Sequence, residues 1–184
     1  RGEDFRRAPD ALPIEFDPRL DALLRDVRSR HDLTKTLLKE EEAEALPFVG
    51  SMAGNRSAAP IAEGIVNHIG FNLDEFRRAR DTRAAFAYLR NRLERVGIFV
   101  LLLGNLGSYH TNISAKIFRG YALADSFAPF IVINENDAAA SWSFTALHEA
   151  AHVWLGQTGV SGGTDGARVE QICNDVAGRI LLPR

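Results

Sequence analysis

The chain has 184 residues, 46% of them hydrophobic and 25% charged, with a formal net charge of −2. That is enough chain for one sizeable core, or one domain with an appendage, and the composition is that of a globular protein. The balance of charge excludes a global attraction to nucleic acid or an anionic membrane, no apolar run approaches the roughly 20 residues that span a bilayer, and a lone cysteine, Cys173, excludes an internal disulfide and suits a reducing cytoplasm.

No basic-then-apolar leader opens the chain. Arg1 at the start, and Arg184 directly after Pro183 at the end, lead us to expect a fragment of a longer polypeptide with a further domain beyond one of its ends. Pro9, Pro13 and Pro18 punctuate an extended lead-in. Asp17-Pro18 then opens a predicted helix to about Lys39, with Leu20, Leu23, Leu24, Val27 and Leu33 on an apolar stripe. The run Glu40-Glu41-Glu42-Ala43-Glu44 reads as a solvated helix end, closed by Leu46-Pro47-Phe48-Val49-Gly50. We take residues 1–58 as a helical linker or brace and residues 59–184 as the main domain. That domain opens with two predicted helices, Ile61 to Ile69 and Leu73 to Val96. The second carries Phe86, Leu89, Leu93 and Val96 on one stripe and ends at Gly97. Arg77, Arg78, Arg80 and Arg83 are interleaved with Asp74, Glu75 and Asp81, which favours a solvated face over a nucleic-acid surface.

Three strands come next: Ile98 to Leu103, Ile117 to Leu123 and Phe130 to Asn134. Between the first two lies the turn-rich Gly104-Asn105-Leu106-Gly107-Ser108. His110, just beyond it, either lines a cleft, where it could stabilise an oxyanion, or is an exposed loop histidine. Arg119 and Tyr121 alternate on a strand, share a face and are further cleft candidates. A strand beside a catalytic helix could bind an extended peptide by edge pairing. His31 and His68 have no partner pattern and read as structural. The order of helices, three strands and two last helices predicts an α+β fold, a small sheet of three or more strands packed against helices.

The chemistry is concentrated beyond the polar turn Asn134-Glu135-Asn136-Asp137. Within Thr145 to Leu155 stands His148-Glu149-Ala150-Ala151-His152. On a helix, residues four apart lie on one face, so His148 and His152 can address one metal ion. Glu149, one position round, is placed to hold a water there as general base, the zinc-hydrolase arrangement. The plainer reading is a solvated His-Glu patch on an amphipathic helix. A second helix, Val169 to Pro183, has Val169, Ile172, Val176, Ala177 and Ile180 at three- and four-residue steps, with Pro183 as its stop. Catalytic zinc takes three protein ligands and leaves one position open. Glu170, reached across the Gly-rich turn Gly159 to Gly166, is the expected third, and is preferred over Asp165, Asp175 and Cys173. Its alternative is a favourable carboxylate at a helix start. Asn174, one turn on, could orient a ligand from behind. Cys173 reads as a buried thiol of the apolar stripe rather than a nucleophile or ligand. Two imidazoles and a carboxylate suit Zn2+, with Mn2+ or Fe2+ as substitutes.

Taken together, Phe118-Arg119-Gly120-Tyr121-Ala122, Pro129 to Asn134, Phe144 to His152, and Glu170 to Pro183 with its Cys-Asn-Asp-Val-Ala core resemble the ImmA/IrrE family of metallopeptidases over roughly residues 60–184. The family often has Glu-Ala-Asn where this chain has Ile172-Cys173-Asn174, a departure that leaves Glu170 in register. The resemblance implies a zincin-like fold and a zinc-dependent endopeptidase acting on a protein, often a transcriptional repressor cut at one site. It implies DNA contact only through a helix-turn-helix domain not visible in this chain, and no membrane partner. Three other functions fit the same residues: a metal-binding regulatory module acting through a fused DNA-binding domain, a toxin–antitoxin or phage-repressor partner acting by binding, and a zinc hydrolase of small substrates.

Overall fold

A computed structural model describes residues 17–158 and 164–182. Pro9, Pro13, most of the Gly-rich turn from Gly159, the side chain of Asp165 and the stop at Pro183 lie outside the described residues. The remaining chain forms six α-helices and a three-stranded sheet: α1 (Pro18–Glu40), α2 (Ala58–Ile69), α3 (Leu73–Arg77), α4 (Thr82–Arg95), β1 (Phe99–Leu102), β2 (Gly120–Leu123), β3 (Phe130–Ile133), α5 (Ala139–Leu155) and α6 (Thr164–Leu181). The α+β class expected from the order of elements is the class found.

Local chemistry sets the boundaries. Asp17 caps α1 by accepting the Arg19 N–H at 2.9 Å, and Pro18 occupies the first turn, where its missing N–H costs nothing. The single helix expected over Leu73 to Val96 is two. Asn72 caps α3 through the Glu75 N–H at 3.0 Å, and Asp81 caps α4 through the Ala84 N–H at 2.8 Å. A second capping residue inside a periodic run restarts the helix and turns its axis. The strands are shorter than their apolar runs. Residues 117–119 approach β2 through a turn, in which the Ile117 N–H bonds the Ser114 carbonyl. The last helix begins at Thr164, five residues before its apolar stripe.

The sheet has the order β1-β3-β2, with β1 parallel and β2 antiparallel to β3. Register pairs Phe99 with Phe130 on one side and Gly120 with Ile133 on the other. Alternation along the strands separates two buried clusters. Val100, Ala122, Ile131 and Ile133 join the larger one, with α2, α4, α5 and α6. Tyr121, Leu123, Phe130 and Val132 join the smaller one on the opposite face, closed by Leu23, Leu24 and Val27 of α1. Leu33, expected on the same stripe of α1, is instead 62% exposed, because it lies on the far side of the helix from Leu24 and Val27, while His31, Lys35 and Leu38 continue the inward face. Polar ties fix α1 in place: Lys35 pairs with Asp125, the His31 ring meets Phe130 edge-on at 5.4 Å, and Arg19 reaches the Asn112 carbonyl at 3.1 Å.

Helix α5 runs through the middle of the larger cluster. Thirteen of its 17 residues are buried, which marks a core helix rather than a surface amphipathic one. Gly156 ends it in the left-handed conformation at φ 69°. The segment 46–54 clasps that end: the Gly50 and Met52 N–H groups bond the Val153 and Trp154 carbonyls at 3.0 and 2.9 Å, and Phe48 stacks on Trp154 with ring centroids 4.5 Å apart. At the other end of the domain, buried Asn134 donates to the Ile113 and Phe118 carbonyls at 3.0 and 3.1 Å, and its Oδ1 accepts the Asn136 N–H at 2.9 Å. This amide clasp pins the base of the 104–118 loop against the end of β3. Among the described residues, no helix is long and apolar enough to cross a membrane.

Candidate metal centre

Three buried polar residues stand out on α5: His148, Glu149 and His152 are 0, 3 and 6% exposed. Burying such groups costs several kcal/mol each unless they are partnered, so a solvated patch is not what the fold presents. The two imidazoles face α6, the helix against which α5 packs most extensively. Their Nε2 atoms lie 3.3 Å apart. Glu170 of α6 reaches both: its Oε2 is 3.1 Å from His148 Nε2 and its Oε1 is 2.9 Å from His152 Nε2. One donor atom from each of the three residues can thus be taken within 4.8 Å of the others. Among the described residues, this is the one group of histidine, cysteine or acidic side chains that could hold a metal ion.

The electrostatics follow from that crowding. Burial acts to raise the Glu170 carboxyl, but hydrogen bonds and charge from His148 and His152 hold it well below the usual carboxylate range. For His152, burial disfavours the imidazolium, yet the ionised Glu170 carboxylate 2.9 Å away, with Glu149 adding its charge, holds its pKa well above the ordinary histidine value. Burial pushes the Cys173 thiol up despite the neighbouring His152. The sulfur is therefore a neutral neighbour of His152 rather than a thiolate. His148 is held from behind: its Nδ1–H donates to Asn174 Oδ1 at 3.0 Å. Because that oxygen can only accept, Nδ1 carries a proton, and Nε2 is the nitrogen turned toward His152 and Glu170, the one that would hold an ion once its own proton is lost. Two imidazole nitrogens and one ionised carboxylate, with at least one ring oriented by an outer partner, fit a divalent ion of the zinc type.

Glu149 points elsewhere from the same turn. With Thr145, one turn earlier, it lies against Gly120 at the start of β2. Its charge is felt at His152 and also at Tyr121. Tyr121 itself does not line the centre. It is 1% exposed in the α1-side cluster, where burial raises its phenol pKa and Arg28 of α1 acts in the opposite sense. Arg119 turns to the β3–α5 connection, its Nε 3.8 Å from Asp137 Oδ2. His110 is exposed in the short 3-10 turn Tyr109–Thr111, its ring 3.8 Å from that of Tyr109. The structure thus groups His148, His152, Glu170 and Asn174 and places Glu149 beside them; Tyr121, in the α1-side cluster, feels the charge of Glu149, while Arg119 pairs with Asp137 and the His110 ring lies against Tyr109. Asp175 is exposed. His68 is exposed and lays its ring against Phe48 and Trp154, with ring centroids 4.6 and 5.7 Å away.

Sequence reasoning missed the contact of Gly120 with Glu149 and Thr145. The available signal was an isolated glycine inside a strand pattern, which marks a close approach by another element.

Residues 94–184 match the Peptidase_M78 family model, the IrrE N-terminal-like domain. No match was found among curated proteins or among solved structures. The resemblance to the ImmA/IrrE family seen in the sequence is thereby shown for this part of the chain, and the family is one of peptidases.

Proposed function

We propose that this chain, whose residues 94–184 are a Peptidase_M78 domain, is a zinc-dependent endopeptidase of zincin-like arrangement that cuts a protein substrate in the cytoplasm. The substrate we propose is a transcriptional repressor or regulatory partner. The observation that carries this reading is the convergence of His148 Nε2, His152 Nε2 and the Glu170 carboxylate from two helices, with the Glu149 side chain on the same turn. His148, His152 and Glu170 would hold the ion, with Mn2+ or Fe2+ as substitutes for zinc. When bound, zinc supplies Lewis acidity to a scissile carbonyl and brings water within reach of deprotonation near neutral pH. Glu149 takes the proton of the attacking water on its carboxylate and delivers it to the leaving amine nitrogen. Asn174 keeps the His148 ring in the orientation that presents Nε2. β2 is an outer strand of the sheet and begins beside Glu149. An extended peptide paired along it would run past the base.

The test uses the chain loaded with zinc and a candidate repressor as substrate. Glu149→Gln should retain near-equimolar metal and the native fold while cleavage falls by orders of magnitude, since an amide cannot accept the water proton. Undiminished cleavage by that variant would remove Glu149 from the mechanism. Equal metal content in a His148→Ala/His152→Ala variant would remove the metal assignment.

A further inference from the structure

Gly120 is the first residue of β2, is buried, and pairs with Ile133. Its φ is not in the left-handed region, so the backbone there would accept any L-residue. What the position lacks is room. Alternation along the strand turns Tyr121 toward α1 and Ala122 toward α5, so a side chain at 120 would also point at α5. A Cβ built there would stand 2.5 Å from Glu149 Oε1, 2.6 Å from Thr145 Cγ2 and 3.0 Å from Glu149 Cγ. Thr145 and Glu149 are four apart on α5 and form the wall that the strand meets. Thr145 is short, branched and 1% exposed, with little freedom to yield. The Glu149 carboxylate, at the end of a longer side chain, is the group that moves first. None of the three candidate metal ligands lies among the nearest atoms to that Cβ.

We infer that Gly120 is a positioning residue for Glu149: its bare Cα forms the floor on which the carboxylate rests, and any side chain there displaces the base while sparing the metal ligands. The inference rests on the reading of Glu149 as general base, and its test separates the two. Four full-length, zinc-loaded chains are compared by thermal unfolding: the parent, Gly120→Ala, Glu149→Ala, and the pair. If Gly120 and Glu149 press on each other, Gly120→Ala lowers the melting temperature in the parent, and lowers it measurably less when Glu149 is already alanine, the remaining loss being the contact with Thr145. Equal losses in the two backgrounds overturn the inference, whatever the catalytic role of Glu149. Should Gly120→Ala fail to fold, recovery of folded protein on adding Glu149→Ala supports the inference. Recovery on adding Thr145→Ser but not Glu149→Ala overturns it. Zinc affinity, measured by chelator competition on the folded variants, should change less than threefold in Gly120→Ala, roughly the scatter expected of a remote substitution. A loss as large as that of Glu170→Gln would show that the ligands moved and overturn the inference. In a casein-cleavage assay, Gly120→Ala should fall with Glu149→Gln. Parent-like cleavage by Gly120→Ala alone counts against Gly120, whereas parent-like cleavage by Glu149→Gln counts against the base.

Discussion

Replacing Asn174 by alanine removes the hydrogen bond that holds His148 from behind, the acceptance of its Nδ1–H at 3.0 Å. The imidazole is 0% exposed with Asn174 in place, so that amide oxygen is the acceptor its Nδ1–H depends on, and water entering the vacated place would recover part of the bond. A buried donor left without its partner costs about 1–3 kcal/mol, or roughly 5- to 150-fold in an equilibrium constant. The range brackets the ~10–100-fold loss of metal affinity that follows when the outer partner of a ligating histidine is removed. Asn174 is itself exposed, so the truncation opens no core cavity. Zinc affinity of Asn174→Ala, measured against a chromophoric chelator, should accordingly fall by about one to two orders of magnitude. Asn174→Asp keeps an acceptor at the same place and adds negative charge beside the ring, so it should bind zinc at least as tightly as the parent. An alanine variant with parent affinity, or an aspartate variant as weak as alanine, would refute the idea that the acceptor at 174 sets the presentation of Nε2.

Glu170→Gln should weaken zinc binding markedly while Cys173→Ala leaves it nearly unchanged, because the carboxylate reaches both Nε2 atoms and burial keeps the sulfur a neutral thiol; the reverse order in the same titration would overturn the ligand choice. Asp125 gives a pH signature. Burial acts to raise its carboxyl, but Lys35 and the N–H groups of Phe127 and Ala128 more than offset this and hold it low. A carboxylate depressed in the folded state stabilises at pH above the unfolded value of about 3.9, and that stabilisation is lost as pH falls through the folded value. Asp125→Asn should therefore melt lower at neutral pH and show a shallower acid limb between roughly pH 5 and 2. An unchanged acid limb in thermal scans across that range would refute the assignment.

Much of the fold is legible in the sequence because its signals are local. The apolar runs from Ile98, Ile117 and Phe130 each contain a strand, and the His-Glu-x-x-His spacing needs only helical geometry to place His148 and His152 together. Glu170 is reachable because a zinc-type centre needs a third ligand, and a carboxylate stands on the next helix. What escapes is whatever depends on which face of an element meets which neighbour. Alternation puts Arg119 and Tyr121 on one strand face, yet residue 119 precedes β2 and its guanidinium turns to Asp137, while the Tyr121 ring goes to the α1 side. Leu33 is apolar but stands about half a turn round α1 from Leu24, so counting apolar residues without their helical angle puts it on the wrong face. The break between α3 and α4 hangs on one capping aspartate, Asp81, inside an otherwise unbroken helical pattern.

The back wall of the sheet bears on how this protein should be handled. Residues 94–184 carry the family match and all three candidate ligands, so they invite excision as a minimal active fragment. Such a fragment would keep only the last two residues of α4 and none of α1, α2 or α3. It would uncover Tyr121, Phe130 and Val132 on one side, where Leu23, Leu24 and Val27 now lie, and strip the α2 contacts from α6 on the other. A thin sheet bared on one face, with an edge strand beside it, is prone to self-association. Cuts that remove α1 would therefore yield aggregates before they yield a simpler enzyme, and inactivity of such a fragment would say nothing about the chemistry of His148, Glu149, His152 and Glu170.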